Sequence, residues 1–393
     1  MTRHPVAAFV LLVAVVIAGC RVASSDRSAP AATPVATHTQ KPQPKPTPVI
    51  ARAIAPVAGP SDQHRLTRLK TITGGITPKS VDASGAGLVT AQNMIYQHTV
   101  TVYDDRTYAL RKTISDRVTL SDYGYPKYDQ PVQGGPVEAA FTPDGKYEYV
   151  SNYSMYGPGF GHPGHDTCSP SAGYDRSFLY RINLTTLKID RAIQVGAVPK
   201  YLVVTPDGKY VLVANWCSYT LSVVSTSTGK QIRQLHMGAY PRGIAVNASS
   251  TTAYVAVMGS SQLAKVHLTD FSVSYVYVGP NPRHIVMDPA GRYLYVTLNA
   301  AGKVVKFDLR TEHVVHTVST GKAPRSMTIA PDGKSLYVVN YESNNVSKLR
   351  TGDMKVLQVV DTPVHPIGIT FDSHTGDVWV ACYRGQLAVF ADR

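Results

Sequence analysis

Arg283-His-Ile-Val-Met287, Asp288-Pro-Ala-Gly-Arg292, Tyr293-Leu-Tyr-Val-Thr-Leu298, Lys303-Val-Val-Lys-Phe307 and His313-Val-Val-His-Thr-Val318 follow one another along the chain. The second piece is a turn, in which Pro presets φ and Gly supplies the positive φ that closes the reversal. The other four are short runs of Val, Ile, Leu and Tyr that suit a pleated, packed surface. Together they make one four-stranded unit. Such units open at Pro78, Pro136, Pro199, Pro241, Pro282, Pro324 and Pro366, and the last five prolines stand 42, 41, 42 and 42 residues apart. The turn recurs as Pro143-Asp-Gly-Lys146, Pro206-Asp-Gly-Lys209 and Pro331-Asp-Gly-Lys334. A constant period of about 40 residues, built from strands and turns, is that of propeller blades. Beyond the first twenty residues no segment carries a long 3.6-residue periodicity. The expected fold is all-β, a seven-bladed β-propeller.

The seventh unit ends after its third strand, Gln386-Leu-Ala-Val-Phe390, and lacks an outer one. Near the other end of the chain, Arg68-Leu-Lys-Thr-Ile-Thr-Gly74 resembles His316-Thr-Val-Ser-Thr-Gly321, the outer strand of another unit. The N-terminal strand is therefore expected to complete the last blade and remove the exposed edges of an open ring.

Tyr149-Val-Ser-Asn152, Leu212-Val-Ala-Asn215 and Tyr337-Val-Val-Asn340, each preceded by a Pro-Asp-Gly-Lys turn, resemble the YVTN family of seven-bladed propellers over residues 64–393. Relatives in that family include surface-layer proteins, nucleic-acid-binding periplasmic proteins and sugar lactonases. The resemblance thus implies a fold and leaves the activity to be argued from the site.

Residues 1–19 read as a signal peptide: Arg3 and His4, an apolar run from Val6 to Val16, then Ile17-Ala-Gly-Cys20. That run is too short to span a bilayer comfortably. Small residues before Cys20 match the bacterial lipobox, so Cys20 is expected to carry acyl chains, palmitate among them, as the mature N-terminus. Residues 20–62 are rich in Ala, Pro, Thr and Ser, with too little apolar surface to fold, and read as a tether. Residues 63–393 form the propeller. The expected location is extracytoplasmic, anchored to the cell membrane through lipid alone. The formal charge of +13, of which residues 1–19 carry only Arg3, suits anionic partners outside the cytoplasm: an envelope polymer, nucleic acid or an acidic partner protein.

Three features should converge on the rim where the innermost strands start. The residue after the opening Pro is basic in five units (Lys79, Lys200, Arg242, Arg283 and Arg325) and is Val137 or Ile367 in the other two. These five make a ring of positive charge at the channel mouth, or else hydrogen-bond neighbouring blades. The two long departures from the repeat, Ser115–Gly135 with Tyr123, Tyr125 and Tyr128, and Tyr153–Arg176, belong to the same rim. The second holds Gly161-His-Pro-Gly-His-Asp-Thr-Cys168. Cys168 and Cys217 fall in comparable loops of adjacent blades and are expected to form a disulfide outside the cytoplasm. Cys382 is expected to remain a lone buried thiol. The ligand-contacting set is completed by Trp216, Tyr341 and His284, the last a candidate base as well.

No nucleophile-elbow Gly-x-Ser-x-Gly, paired carboxylates or phosphate-cradling Gly loop appears, so no catalytic residue and no cofactor is assigned. The sequence reads as a non-catalytic monomeric binding protein. A lactonase- or lyase-like enzyme on the same rim is the first alternative. Copper or zinc binding through His162, His165 and Cys168 is the second. Replacing Cys20 with Ser is expected to move the protein from the membrane fraction to the soluble one; continued membrane retention would contradict the anchor.

Overall fold

The computed structural model describes residues 59–393. The signal segment, Cys20 and nearly all of the tether lie outside the described residues. Seven four-stranded antiparallel sheets and one two-stranded ribbon make up the described fold. In the fifth blade the strands run Pro282–Met287, Tyr293–Leu298, Lys303–Asp308 and His313–Ser319 from the channel outwards. The innermost strands of neighbouring blades pack against one another around the ring. The core lies between adjacent sheets, where Tyr149, Tyr180, Tyr295, Tyr337 and Trp379 are fully buried.

Each Pro-Asp-Gly-Lys turn is held by its own side chains. Asp144 accepts from the Thr142 hydroxyl at 2.6 Å and the Lys146 amide at 3.1 Å, and Asp207 repeats the pattern with Thr205 and Lys209. Gly145, Gly208 and Gly333 take φ near +70° there, a conformation glycine adopts without steric cost.

The ring closes as the sequence indicates. Leu66–Ile72 pairs antiparallel with Gln386–Asp392, from Leu66 opposite Asp392 to Ile72 opposite Leu387. Closure also has a polar lock. The Lys348 ammonium, with no exposed side-chain surface, bonds to Asp392 and donates to the His64 carbonyl at 2.8 Å. Ser61 donates through its amide and hydroxyl to Asp332 at 2.8 and 2.7 Å. The docked chain thus begins two residues before the tether boundary read from the sequence.

Deleting residues 64–75 removes the closing strand and leaves Lys348 without its carbonyl partner, so a large fall in Tm across the whole domain is expected in calorimetry. Asp392→Ala, which strands a buried ammonium, should cost about 3–5 kcal/mol. An unchanged Tm in either variant would contradict the closure.

Candidate functional site: the mouth of the central channel

One backbone irregularity places the functional side chains. In all seven innermost strands the register slips just after the opening Pro: Pro78 pairs with Asn93 and Ser80 with Gln92, leaving Lys79 unpaired, and the same holds at Val137, Lys200 and Ile367, while in blades four to six the unpaired stretch is Arg242-Gly243, Arg283-His284 and Arg325-Ser326. A bulge re-aims the side chain of its extra residue. Here all seven bulge residues line a cavity of about 870 Å³ at the channel mouth. A second ring lies with them. The residue that follows each second strand also lines the cavity: aromatic in four blades (Tyr153, Trp216, Tyr341, Tyr383) and Met94, Met258 or Asn299 in the others.

The two rings are bonded together. The amide of the second-ring residue donates to the carbonyl just before the opening Pro: Tyr153 to Gly135, Trp216 to Val198, Met258 to Tyr240, Asn299 to Asn281, Tyr341 to Ala323 and Tyr383 to His365, at 2.7–3.3 Å. Five of these carbonyl-bearing residues (Val198, Tyr240, Asn281, Ala323 and His365) hold φ between +52° and +60°, which is uncommon for residues with a Cβ. Strain of this kind costs on the order of 1 kcal/mol or more per residue and persists where surrounding bonds impose it.

The electrostatics are unbalanced. Lys79, Lys200, Arg242 and Arg283 are each less than a tenth exposed. Glu138 lies 3.4 Å from the Lys79 ammonium and 3.5 Å from the Arg242 guanidinium. Asp166 pairs with Lys200 and accepts from the Tyr153 hydroxyl at 3.0 Å. Among the described residues no carboxylate pairs with Arg283 or Arg325. Arg283 donates to the Met258 sulfur at 4.0 Å, and Arg325 lies 3.6 Å over the Tyr341 ring with its Nε buried and unbonded. Burial, then the Arg242 charge, pulls the Lys200 ammonium down to about 7 against the pull of Asp166. Burial lowers Lys79 likewise, with Glu138 opposing. The three guanidinium groups are also pushed down by burial, but they start so high that they stay charged. Partial desolvation at the mouth works against ionisation of Asp166, whose side chain stays largely exposed, and Lys200 holds it at about 2.

The long loop after Asn152 is pinned over one side of the mouth. Cys168 and Cys217 form a disulfide with a Cα–Cα distance of 5.4 Å. The hydroxyls of Tyr219 and Tyr240 donate to the Cys168 carbonyl at 2.8 and 3.0 Å, and the Trp216 indole donates to the Asp166 carbonyl at 2.9 Å. Trp216 is held between Tyr240, 4.5 Å between centroids, and the Lys200 ammonium, 3.9 Å from its ring. Tyr341 stacks on His365 at 4.4 Å. Cys382 is free and buried, but it ends the strand Asp377–Cys382 and is not a loop residue.

Several expectations are corrected. His284 does not line the mouth. It follows the bulge and faces a separate chamber of about 170 Å³, with Asp82, Glu138, Tyr201 and Ser326. Burial, Arg242 and Arg283 hold its imidazole at about 3, too low for a useful base near neutral pH. Tyr125 and Tyr128 pack on Phe178, and Tyr128 also on Phe160, so they fill the flank of blade two; of the Ser115–Gly135 segment, Gln133 lines the mouth. The His162/His165/Cys168 metal set is not formed, because Cys168 is in the disulfide and His165 Nε2 bonds to the Tyr174 hydroxyl at 3.0 Å. Glu138 was missed by sequence reasoning. The only signal was an acid directly after the bulge position, where the other units carry Ser, Tyr, Gly or His.

The family model "Lactonase, 7-bladed beta-propeller" matches residues 234–365, about a third of the chain. A curated relative, Antigen Lp49 of Leptospira interrogans serogroup Icterohaemorrhagiae serovar copenhageni, is 27% identical over 149 residues, which cover 36% of this chain and 33% of that protein. The chain therefore matches about a third of that relative's length. Among solved structures, a chain of Kuenenia stuttgartiensis hydrazine synthase superposes with a TM-score of 0.63 at 17% identity, covering 81% of this chain and 96% of that one. At that identity the likeness is one of fold. Together with the seven sheets, these findings define the molecule as a seven-bladed β-propeller with a lactonase-like segment.

Reducing the Cys168–Cys217 bond closes off a constraint on about 50 residues and should lower stability by roughly 4 kcal/mol at most. Calorimetry with and without reductant checks this, together with amide exchange over residues 154–176, which should quicken. Unaltered exchange there would show that the disulfide does not hold the loop.

Proposed function

We propose that this is an exported, lipid-anchored binding protein whose propeller captures an anionic group end-on in its channel mouth. The observation that carries the reading is the charge imbalance: five cations line one concave mouth with a single carboxylate, Asp166; Glu138 reaches Lys79 and Arg242 from the neighbouring chamber, and two of the guanidinium groups have no acid partner. An unpaired buried charge is strongly destabilising, so its retention is accounted for by a ligand that supplies the counter-charge. The recessed position of the cations favours a terminus or protruding side group of an envelope polymer or partner over a strand laid flat across the rim. The lipobox ending at Cys20 and the disulfide, a bond of oxidising compartments, support the location.

A lactonase reading is favoured by one finding. The matched segment 234–365 spans the three blades that bear Arg242, Arg283 and Arg325. Those groups suit an oxyanion. Asp166, an acid at the mouth with a largely exposed side chain, is held at about 2 by Lys200, which makes it a poor base. Binding without turnover is therefore the better-supported reading.

An anion in the mouth would raise the lysine pKa values, so binding takes up protons. The sign follows: affinity is greatest below the free-state value, about 7 for Lys200, and is lost as pH rises through the higher bound-state value. Calorimetric titration with short polyphosphate and uronate oligomers from pH 6 to 9 should show this, with affinity falling steeply with salt for a phosphate ligand. Arg283→Met should weaken binding about 30-fold or more. Absence of binding by the oligomers and by simple phosphate esters alike, or indifference to Arg283→Met, would sink the reading. Turnover of lactones that disappears in the same variant would favour the enzyme.

A further inference from the structure

The two rings are not uniform around the axis. Arg242, Arg283 and Arg325 belong to three consecutive blades, the fourth, fifth and sixth. Across the mouth from them lies the first blade, whose neighbours carry the two apolar bulge residues, Val137 and Ile367, both buried. Lys79, between those two, is drawn to Glu138.

Above this arc the loop that follows Asn93 carries Met94-Ile95-Tyr96. The two residues that follow the second-ring position are Ser154-Met155, Cys217-Ser218, Gly259-Ser260, Ala300-Ala301, Glu342-Ser343 and Arg384-Gly385 on the other blades, so a pair of large apolar residues there belongs to blade one alone. Its conformation is specified. The Thr77 hydroxyl bonds to the Ile95 carbonyl, the Gln97 amide donates to the same carbonyl at 2.7 Å, and Tyr96 holds φ +64°. Tyr96 is nevertheless 85% exposed, and Tyr156 beside the mouth is 42% exposed. Ile95, Tyr96 and Tyr156 all line the mouth cavity, so a large aromatic held out to solvent by a bonded loop there is placed to meet what enters it.

Resting on the anion-capture reading, we propose that the ligand is a small amphipathic anion. Its charged head meets the arginine arc, and an apolar ring or short acyl body lies against the lip formed by Ile95, Tyr96 and Tyr156. The cavity, about 870 Å³, is of the size that holds one small molecule. On that side the side chains of Val137, Ile367 and Ile95 offer no hydrogen bond, and an apolar body laid against them gains by leaving water.

The test compares phenyl phosphate with glycerol phosphate, two esters of equal charge that differ in the body they carry. Phenyl phosphate is expected to bind about tenfold more tightly or better, from burial of its ring. The double variant Ile95→Ser/Tyr96→Ser alters an exposed loop and should abolish that preference while leaving glycerol phosphate affinity unchanged. Arg283→Met should weaken both esters alike. Equal binding of the two esters, or a preference that survives the double variant, would overturn the amphipathic ligand and leave anion capture standing. If neither ester binds at millimolar concentration and the oligomers also fail, anion capture itself falls, and this inference with it.

Discussion

The hydrogen bond from the residue after each second strand to the carbonyl before each opening proline is the constraint on which this molecule depends. It ties the two positions of a blade that face the channel mouth, and it occurs in six of the seven blades. The proline has no amide to give, and the residue before it is forced to positive φ in five blades. A bulge follows at the next residue in all seven blades, with or without that positive φ. The bulge residue has no partner across the ladder, so its side chain is free to face the mouth whatever its chemistry. The scaffold can therefore exchange Lys, Arg, Val or Ile at that position without altering the sheet, and the site is varied blade by blade on an unchanging frame.

Such a frame works only if the ring does not open. Closure by Leu66–Ile72 is supported by the Lys348–Asp392 pair and the His64 carbonyl, all withdrawn from water. A buried pair of this sort adds little net stability over an apolar one, but loss of either partner is costly. It therefore penalises any opened or mispaired ring more than it rewards the closed one. The disulfide does similar work locally, because it holds the one long excursion that brings Asp166 to Lys200.

The mouth itself is built at the expense of stability. Two lysines depressed by burial, and guanidinium groups without acids, are poor choices for a folded core and good ones for an anion site prepared in advance. Glu138 limits the cost by serving two cations at once. It also separates the cationic mouth from the deeper chamber, where Asp82 is raised to about 7, chiefly by burial, and His284 stays neutral.

The period of the prolines, the Pro-Asp-Gly turns and the missing outer strand of the last unit made the blade count, the topology and the closing strand legible in the chain alone, because each is a local signal repeated at fixed spacing. The five basic positions were legible for the same reason, because equivalent positions in equivalent blades meet in space, and the Cys168–Cys217 pairing was legible because both lie in loops at the same edge of adjacent blades. Tertiary structure alone decided what those positions do. Successive strand residues face opposite sides, so His284 went to a different chamber from Arg283, its neighbour in sequence, and the bulge decided that the arginine takes the mouth. Glu138 and the second ring of Met94, Tyr153, Met258, Asn299 and Tyr383 were not foreseen, because their roles arise from convergence around the axis. Charge balance within a cavity is a sum over seven blades, and no single repeat contains it.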